Sequence, residues 1–273
     1  MDEMRRRLTE VFPFLQPLRI WQKKKCFYFK LSLDRNRYAS FYESELPNQV
    51  CTWKIPLLNE RSGCDMQFQY NKVDNLKIAS KTVHRLILFP NEVFSFWERL
   101  RYSSMFGTYK DGLVLQNGKL TNMKGGGLCQ LSELLYYLFL HSPLTILERH
   151  PHKVLSLPPL DPEEPYGLDA TVYEGWLDLK AKNNTTQKYQ ILITFDEKYI
   201  YGTLCTDGEI LYSYEIYNRN VVEFQKEGRS FIKFEVWRRK KEKSSLETIQ
   251  DEFLYSQEVE LTYKRTTSIS RMY

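Results

Sequence analysis

Cys129 is the residue best placed for covalent chemistry. It follows Lys124-Gly125-Gly126-Gly127-Leu128 and leads through Gln130 into Leu131-Ser132-Glu133-Leu134-Leu135-Tyr136-Tyr137-Leu138-Phe139-Leu140. Adjacent glycines let a backbone turn tightly and approach another group closely. The breaker-free apolar stretch after them predicts a buried helix. A thiol where a loop feeds a helix meets free amides and the positive end of the dipole, which favour a thiolate. That position suits a nucleophile or a metal ligand, and a small buried hydrophobe beside a turn is the structural alternative.

Partners for the sulfur come from His150-Pro151-His152. Residues two apart on an extended backbone face the same side, so both imidazoles could converge on Cys129. A nucleophilic thiol needs a base, and the base benefits from a carboxylate or amide that orients it. Asp169 is the first candidate for that role, with Asp178 and Asn183 behind it. Gln130 and the amides of Gly125, Gly126 and Gly127 are candidates to hold an oxyanion. The order Cys, His, Asp on helix, strand, strand resembles the layout of transglutaminase-like and papain-like thiol enzymes, with a shorter gap before the histidines. A zinc site of Cys129, His150 and His152 is the competing reading; it matches no standard spacing and contains no carboxylate. A histidine pair hydrogen-bonded at a strand edge is the structural alternative, and His84 and His141 are read as structural.

The elements that must position these groups follow from pattern. A basic helix over 2–25, interrupted by Pro13 and Pro17, carries Leu8, Val11, Phe12, Leu15 and Leu18 on one face. Residues 26–63 read as irregular, and 69–80 as a helix. Leu86-Ile87-Leu88-Phe89 is a short strand, and Val93-Phe94-Ser95-Phe96-Trp97 an aromatic run expected beneath the site. Asn117-Gly118 predicts a hairpin just before the glycine loop. The Cys129 helix should end near His141-Ser142-Pro143, and a strand over 144–149 should deliver the histidines. Two further strands are expected over 170–173 and 176–179, then alternating strands and turns from 189 to 263, with 210–217 and 221–225 as separate strands.

The chain has 273 residues, 42% hydrophobic and 27% charged, which suits a folded globular protein. The net charge of +5 is mild for nucleic-acid binding, and the glycine loop lacks the GK[ST] ending of a phosphate cradle. Arg5-Arg6-Arg7 and Lys23-Lys24-Lys25 read first as solvated charged faces; Phe12, Phe14 and Trp21 beside the arginines leave peripheral membrane contact open, with Pro13 and Pro17 arguing against a long interfacial helix. Five widely spaced cysteines without a CxxC pair fit a reducing compartment. No signal peptide or membrane-spanning stretch is read, so the expected location is cytoplasmic. No cofactor is expected.

Several motifs together resemble the VanW family: Asp65-Met66-Gln67, Asn71 through Ala79, Pro90 through Phe96, Gly125 through Leu131, His141-Ser142-Pro143-Leu144, and Glu148 through His152. The family's GGGxCQ and ERHxH patterns fall on Gly125, Gly126, Gly127, Cys129 and Gln130, and on Glu148, Arg149, His150 and His152. This resemblance adds Arg149 as a binding candidate and implies an association with glycopeptide resistance or cell-wall biology. Asn91 stands where the family's turn has glycine, and asparagine tolerates the same left-handed backbone.

The expected fold is α+β: a mixed central domain whose helix carries the Gly-Gly-Gly-Leu-Cys-Gln motif, followed by an antiparallel β region. The expected divisions are 1–64, 65–182 and 183–273. The expected activity is that of a thiol hydrolase or acyltransferase on an amide of a cell-wall peptide or precursor, or on a protein partner. Cys129 would be the nucleophile, His150 or His152 the base and Asp169 the orienter. The alternative is a non-catalytic binding protein with a glycine-rich recognition groove.

Overall fold

The computed structural model describes residues 12–59, 65–116, 119–155 and 164–262, and its elements form an α+β fold. Helix α1 (Gln16–Leu33) corrects the first expectation, because it is continuous and runs well beyond residue 25. Pro17 lies in its first turn, where a missing N–H costs nothing, so the proline opens the helix and does not break it. The part of that expectation on residues 1–11 lies outside the described residues.

Residues 34–59 are also more ordered than expected. They hold β1 (Arg37–Tyr38), β2 (Phe41–Tyr42) and β3 (Asn48–Pro56). Strand β3 is legible only in its partner: it lies along β12 (Tyr199–Thr206) from Pro56 to Asn48 with one bulge. Two sheets build the centre. One runs β1, β5 (Glu92–Ser95), β10 (Lys180–Lys182), β8 (Thr145–Glu148). The other runs β2, β4 (Leu86–Leu88), β11 (Tyr189–Phe195), β12, β3. Strands β11 and β12, which follow residue 182, thus complete the same sheet as β3 and β4.

Between them lies α4 (Cys129–Leu140), whose Leu131, Leu134, Leu135, Leu138 and Phe139 are fully buried. Gly202 of β12 lets α4 approach closely, since a Cβ there would stand 2.9 Å from Leu134 and Leu138. Phe94 of the aromatic run meets Phe139 edge-on, with centroids 5.2 Å apart, so the run does pack beneath α4. Helix α2 (Met66–Ser80) starts at Asp65, whose side chain accepts from the Gln67 amide. It lies against the hairpin β6 (Asp111–Gln116) and β7 (Lys119–Lys124); the Asn117-Gly118 turn falls outside the described residues. Asn91 takes φ 66°, the left-handed backbone expected of a glycine there.

The two strands expected over 170–179 do not form. Gly175, at φ +101°, closes a turn in which the Tyr173 amide donates to the Leu177 carbonyl and Tyr173 stacks on Trp176. After β12 comes an antiparallel meander of β13 (Tyr212–Lys226), β14 (Arg229–Glu242) and β15 (Thr248–Leu261). β13 is one strand where two were expected, because a bulge at Arg219–Val222, with Asn220 at φ 52°, absorbs the turn-like residues. Strand β9 (Val154–Leu155) runs parallel to the end of β15, which ties the segment after the histidines to the meander.

Candidate functional site

The glycine loop is held from both sides. Gly125 and Gly127 take φ +76° and +93°, and Gly125 and Gly126 donate their amides to the Lys110 and Met123 carbonyls. A Cβ on Gly126 would lie 2.1 Å from the Gly112 carbonyl oxygen, so two glycine backbones touch where no side chain fits. Asn75, fully buried on α2, closes the arrangement. Its Nδ2 donates to the carbonyls of Lys110 and Gly126, each at 3.0 Å, and its Oδ1 accepts from the Lys110 amide at 2.8 Å.

From this loop α4 starts at Cys129, with the amides of Gln130 and Leu131 turned back to the Gly127 and Leu128 carbonyls. The Gln130 side chain donates to the Pro56 carbonyl at 2.6 Å, so it fastens α4 to the end of β3. Cys129 is half-buried, and its Sγ lies 3.9 Å from the Val172 carbonyl.

His152 stands between that sulfur and a carboxylate. The Cys129 thiol lies close enough to this imidazole to raise its pKa, and the ring Nδ1 lies 2.9 Å from Asp169 Oδ2, which also accepts the His152 amide. Burial by itself lowers the imidazole's pKa. The hydrogen bond to Asp169, the neighbouring Cys129 thiol and the charges of both outweigh it and raise the value to about 10. Asp169 moves the other way: burial raises it, but His152 and the Arg149 guanidinium hold it below the ordinary carboxylate range.

Arg149 braces that carboxylate. Its Nη2 donates to Asp169 Oδ1 at 2.8 Å and to the Gly167 carbonyl at 2.9 Å, its Nε to the Asp169 carbonyl, and its Nη1 to Gln257. The side chain is 8% exposed and lies over the rings of Tyr136 and Tyr255. The group suggested as a binding residue is therefore occupied in orienting Asp169.

His150 turns elsewhere. Its Nε2 lies 2.9 Å from Glu148, which also pairs with Lys180 and accepts the Asp178 amide. Strand β8 ends at Glu148, so alternation no longer governs residues 150 and 152, and the two rings part. Asp178, raised to about 6 by burial, accepts from Ser95 Oγ at 2.6 Å and from the Trp97 amide at 3.1 Å. Asn183 bonds the Leu88 and Gln187 carbonyls. Neither meets His152 in any recorded bond. Among the described residues no group of three or more His, Cys, Asp or Glu side chains is arranged to hold a metal ion. His84 accepts from the Ile193 amide, and His141 stacks on Tyr137.

Two ionisable residues near the sulfur escaped the sequence reading. Glu133 lies one turn beyond Cys129 on the same face of α4. Burial first, then the charges of Glu164 and Asp169, raise its pKa to about 8 against the opposing pull of His152 and Lys72. Lys72 of α2 packs its stem where a Cβ on Gly127 would stand, 2.2 Å away, and burial lowers its pKa to about 8. The i,i+4 spacing from Cys129 was an available signal for Glu133. Lys72 had none, since only the docking of α2 brings it there.

These features define an α+β protein in which a cysteine at a helix start lies near a histidine braced by a carboxylate and an arginine. The chain belongs to the VanW family: the family model described as VanW like protein matches residues 71–205, from α2 through β12. It is 40% identical over 266 residues to the Vancomycin B-type resistance protein VanW of Enterococcus faecalis, covering 97% of both chains. The Uncharacterized protein YoaR of Bacillus subtilis is 32% identical over 113 residues, 41% of this chain and 36% of its own. No solved structure matches the chain.

Proposed function

We propose that the chain is a cysteine-dependent hydrolase or acyltransferase that acts on an amide of a cell-wall peptide or its precursor. The observation that carries this reading is His152 hydrogen-bonded to Asp169, with the Cys129 thiol near enough to act on the same imidazole. The substrate class rests on similarity to the relative whose printed name ties it to vancomycin resistance.

With an imidazolium beside the sulfur, the thiolate adds to the amide carbon and forms a C–S bond. The Cys129 amide, at the open start of α4 where the dipole is positive, takes the oxyanion. His152 gives its proton to the nitrogen as the C–N bond breaks, leaving a thioester on Cys129 and a free amine. The neutral imidazole then takes a proton from water or an acceptor amine as it attacks the thioester carbon; the C–S bond breaks, a carboxylic acid or a new amide leaves, and the thiolate and imidazolium are restored. Asp169, braced by Arg149, keeps the ring in place throughout.

A second reading, a binding protein with no reaction, is favoured by one observation: Cys129 packs against the hydrophobic core. Alkylation separates the two. Iodoacetamide is applied from pH 5 to 9 and adducts are mapped by mass spectrometry, with exposed Cys26 as the internal reference. The enzyme reading expects Cys129 to react faster than Cys26 near pH 6–7, with the advantage lost in His152→Ala. A Cys129 that reacts no faster than Cys26 at any pH leaves the binding reading. Precursor peptides incubated with the protein should then leave an acyl adduct on Cys129 that hydroxylamine removes.

A further inference from the structure

Helix α1 is docked by one side only. Leu31 is buried, Phe27 and Tyr28 are half-buried, and Tyr28 donates to Glu174 at 2.9 Å. Lys24 pairs with Glu174, Lys23 lies over the Trp176 ring, and Gly175 lets the turn come against the helix backbone. Away from that contact, Leu18, Trp21, Phe29 and Leu33 of the helix and Phe14 of the turn before it are each between 58% and 75% exposed. At 100° per residue Leu18, Trp21 and Phe29 fall on one stripe of the helix, which Lys25 shares, and Phe14 stands in the 3-10 turn just before it.

The charge beside this stripe has one sign. Gln16–Leu33 contains Arg19, Lys23, Lys24, Lys25 and Lys30 and no acidic residue. Arg19, Lys25 and Lys30 are exposed, with Lys25 reaching over the Trp21 ring. Arg5-Arg6-Arg7 precede the helix in the chain. An apolar stripe with Trp and Phe, with Lys25 within it and Arg19 and Lys30 to one side, all with stems that can snorkel, has the chemistry of a helix lying in a lipid interface. A second copy of this chain fits poorly, because pairing the stripes would bring two uncompensated cationic helices together.

We propose that the exposed face of α1 docks the protein on an anionic lipid membrane, with Phe14, Leu18, Trp21 and Phe29 inserted among the headgroups and Arg19, Lys25 and Lys30 on lipid phosphates. The helix lies along the surface and does not cross it: no helix of the described residues is long and apolar enough to do so. The turn that holds α1 follows directly on Val172, whose carbonyl meets Cys129, so docking fixes the side of the molecule on which the thiol cluster sits. The inference stands apart from the chemistry assigned to Cys129.

The test is co-sedimentation of the full chain with phosphatidylcholine vesicles, with and without phosphatidylglycerol, at low and high salt. Binding should rise about tenfold or more with the anionic lipid and fall with salt. Phe14→Ser with Trp21→Ser and Phe29→Ser should abolish it without changing the far-UV circular dichroism, because these side chains are exposed. Trp21→Phe should retain binding but reduce the vesicle-induced blue shift of tryptophan emission. Equal binding to both vesicle types, or binding to neither, overturns the proposal. So does a concentration-dependent dimer, seen by light scattering, that the same triple substitution dissolves, since the face would then belong to a second copy.

Discussion

Two polar clusters hang from the same short stretch of chain. After β8, Arg149 and His152 lead to Asp169 and Cys129, while Glu148 and His150 lead to Lys180, Asp178 and Ser95. Each contains a histidine, a cation and one or two carboxylates. In the second cluster the carboxylates serve the backbone: Asp178 accepts the Trp97 amide at the start of α3 (Phe96–Leu100) and the Leu179 amide just before β10, and Glu148 accepts the Asp178 amide. In the first, the same chemistry is turned on a side chain that can react. His152 is hydrogen-bonded to a carboxylate with a thiol nearby, while Arg149 donates to that same carboxylate and to the Asp169 and Gly167 carbonyls. A dense set of charges thus marks a site only where some member remains after the fold's own demands are met.

Substitutions in each cluster should separate stability from reactivity. The largest effect is expected from Asp178→Ala, which strands Ser95 and two amides in the core. It should cost roughly 3 kcal/mol in urea unfolding and leave Cys129 alkylation relative to Cys26 unchanged. Slower alkylation without loss of stability would mean that the two clusters are one unit.

Asp169→Asn comes next, with about 2 kcal/mol lost near pH 6 and alkylation at pH 7 slowed about tenfold or more. Its pH dependence has a definite sign. Asp169, depressed when folded, contributes stability above its ordinary 3.8 and loses it as pH falls through the lower folded value. His152, raised to about 10, contributes fully below its ordinary 6.5 and loses that contribution as pH rises toward 10. Urea midpoints should therefore be highest between about pH 4 and 6.5 for this pair, and the asparagine variant should flatten both flanks.

Glu133→Gln sharpens the picture of the thiol's surroundings. Glu133 is raised to about 8, so its contribution is complete below its ordinary 4.5 and lost as pH climbs through 8. The glutamine, which stays neutral, should gain roughly 1–2 kcal/mol on the wild type at pH 9 relative to pH 5 in the same unfolding assay. An identical pH profile would place Glu133 in water. The smallest effect belongs to His150→Ala. A pair about one-third exposed should cost under about 1 kcal/mol, with Cys129 reactivity unaltered.

Local pattern made Cys129 and its helix legible, since three glycines before an apolar stretch already state a junction and a buried element. The histidine pair was legible as residues but not as geometry, because choosing between them depends on β8 ending at Glu148. Asp169 could be named as an orienter, whereas the role of Arg149 required Gly167 and Gln257 to come together from distant parts of the chain. Strand β3 stayed hidden because its stability lies in pairing with β12, some 150 residues away. The prolines misled at α1, where position in the first turn matters more than identity.

The touch of Gly112 on Gly126 has a consequence for anyone who would move or search for this loop. The glycine run is only half of an interlocking joint, and its other half sits in β6, with Asn75 as the pin. Grafted alone into another protein, Lys124–Leu140 would arrive without its counterpart and relax into an ordinary flexible turn. A search pattern that also asks for an asparagine and a lone glycine upstream would select chains able to build the joint, and pass over those that only spell it.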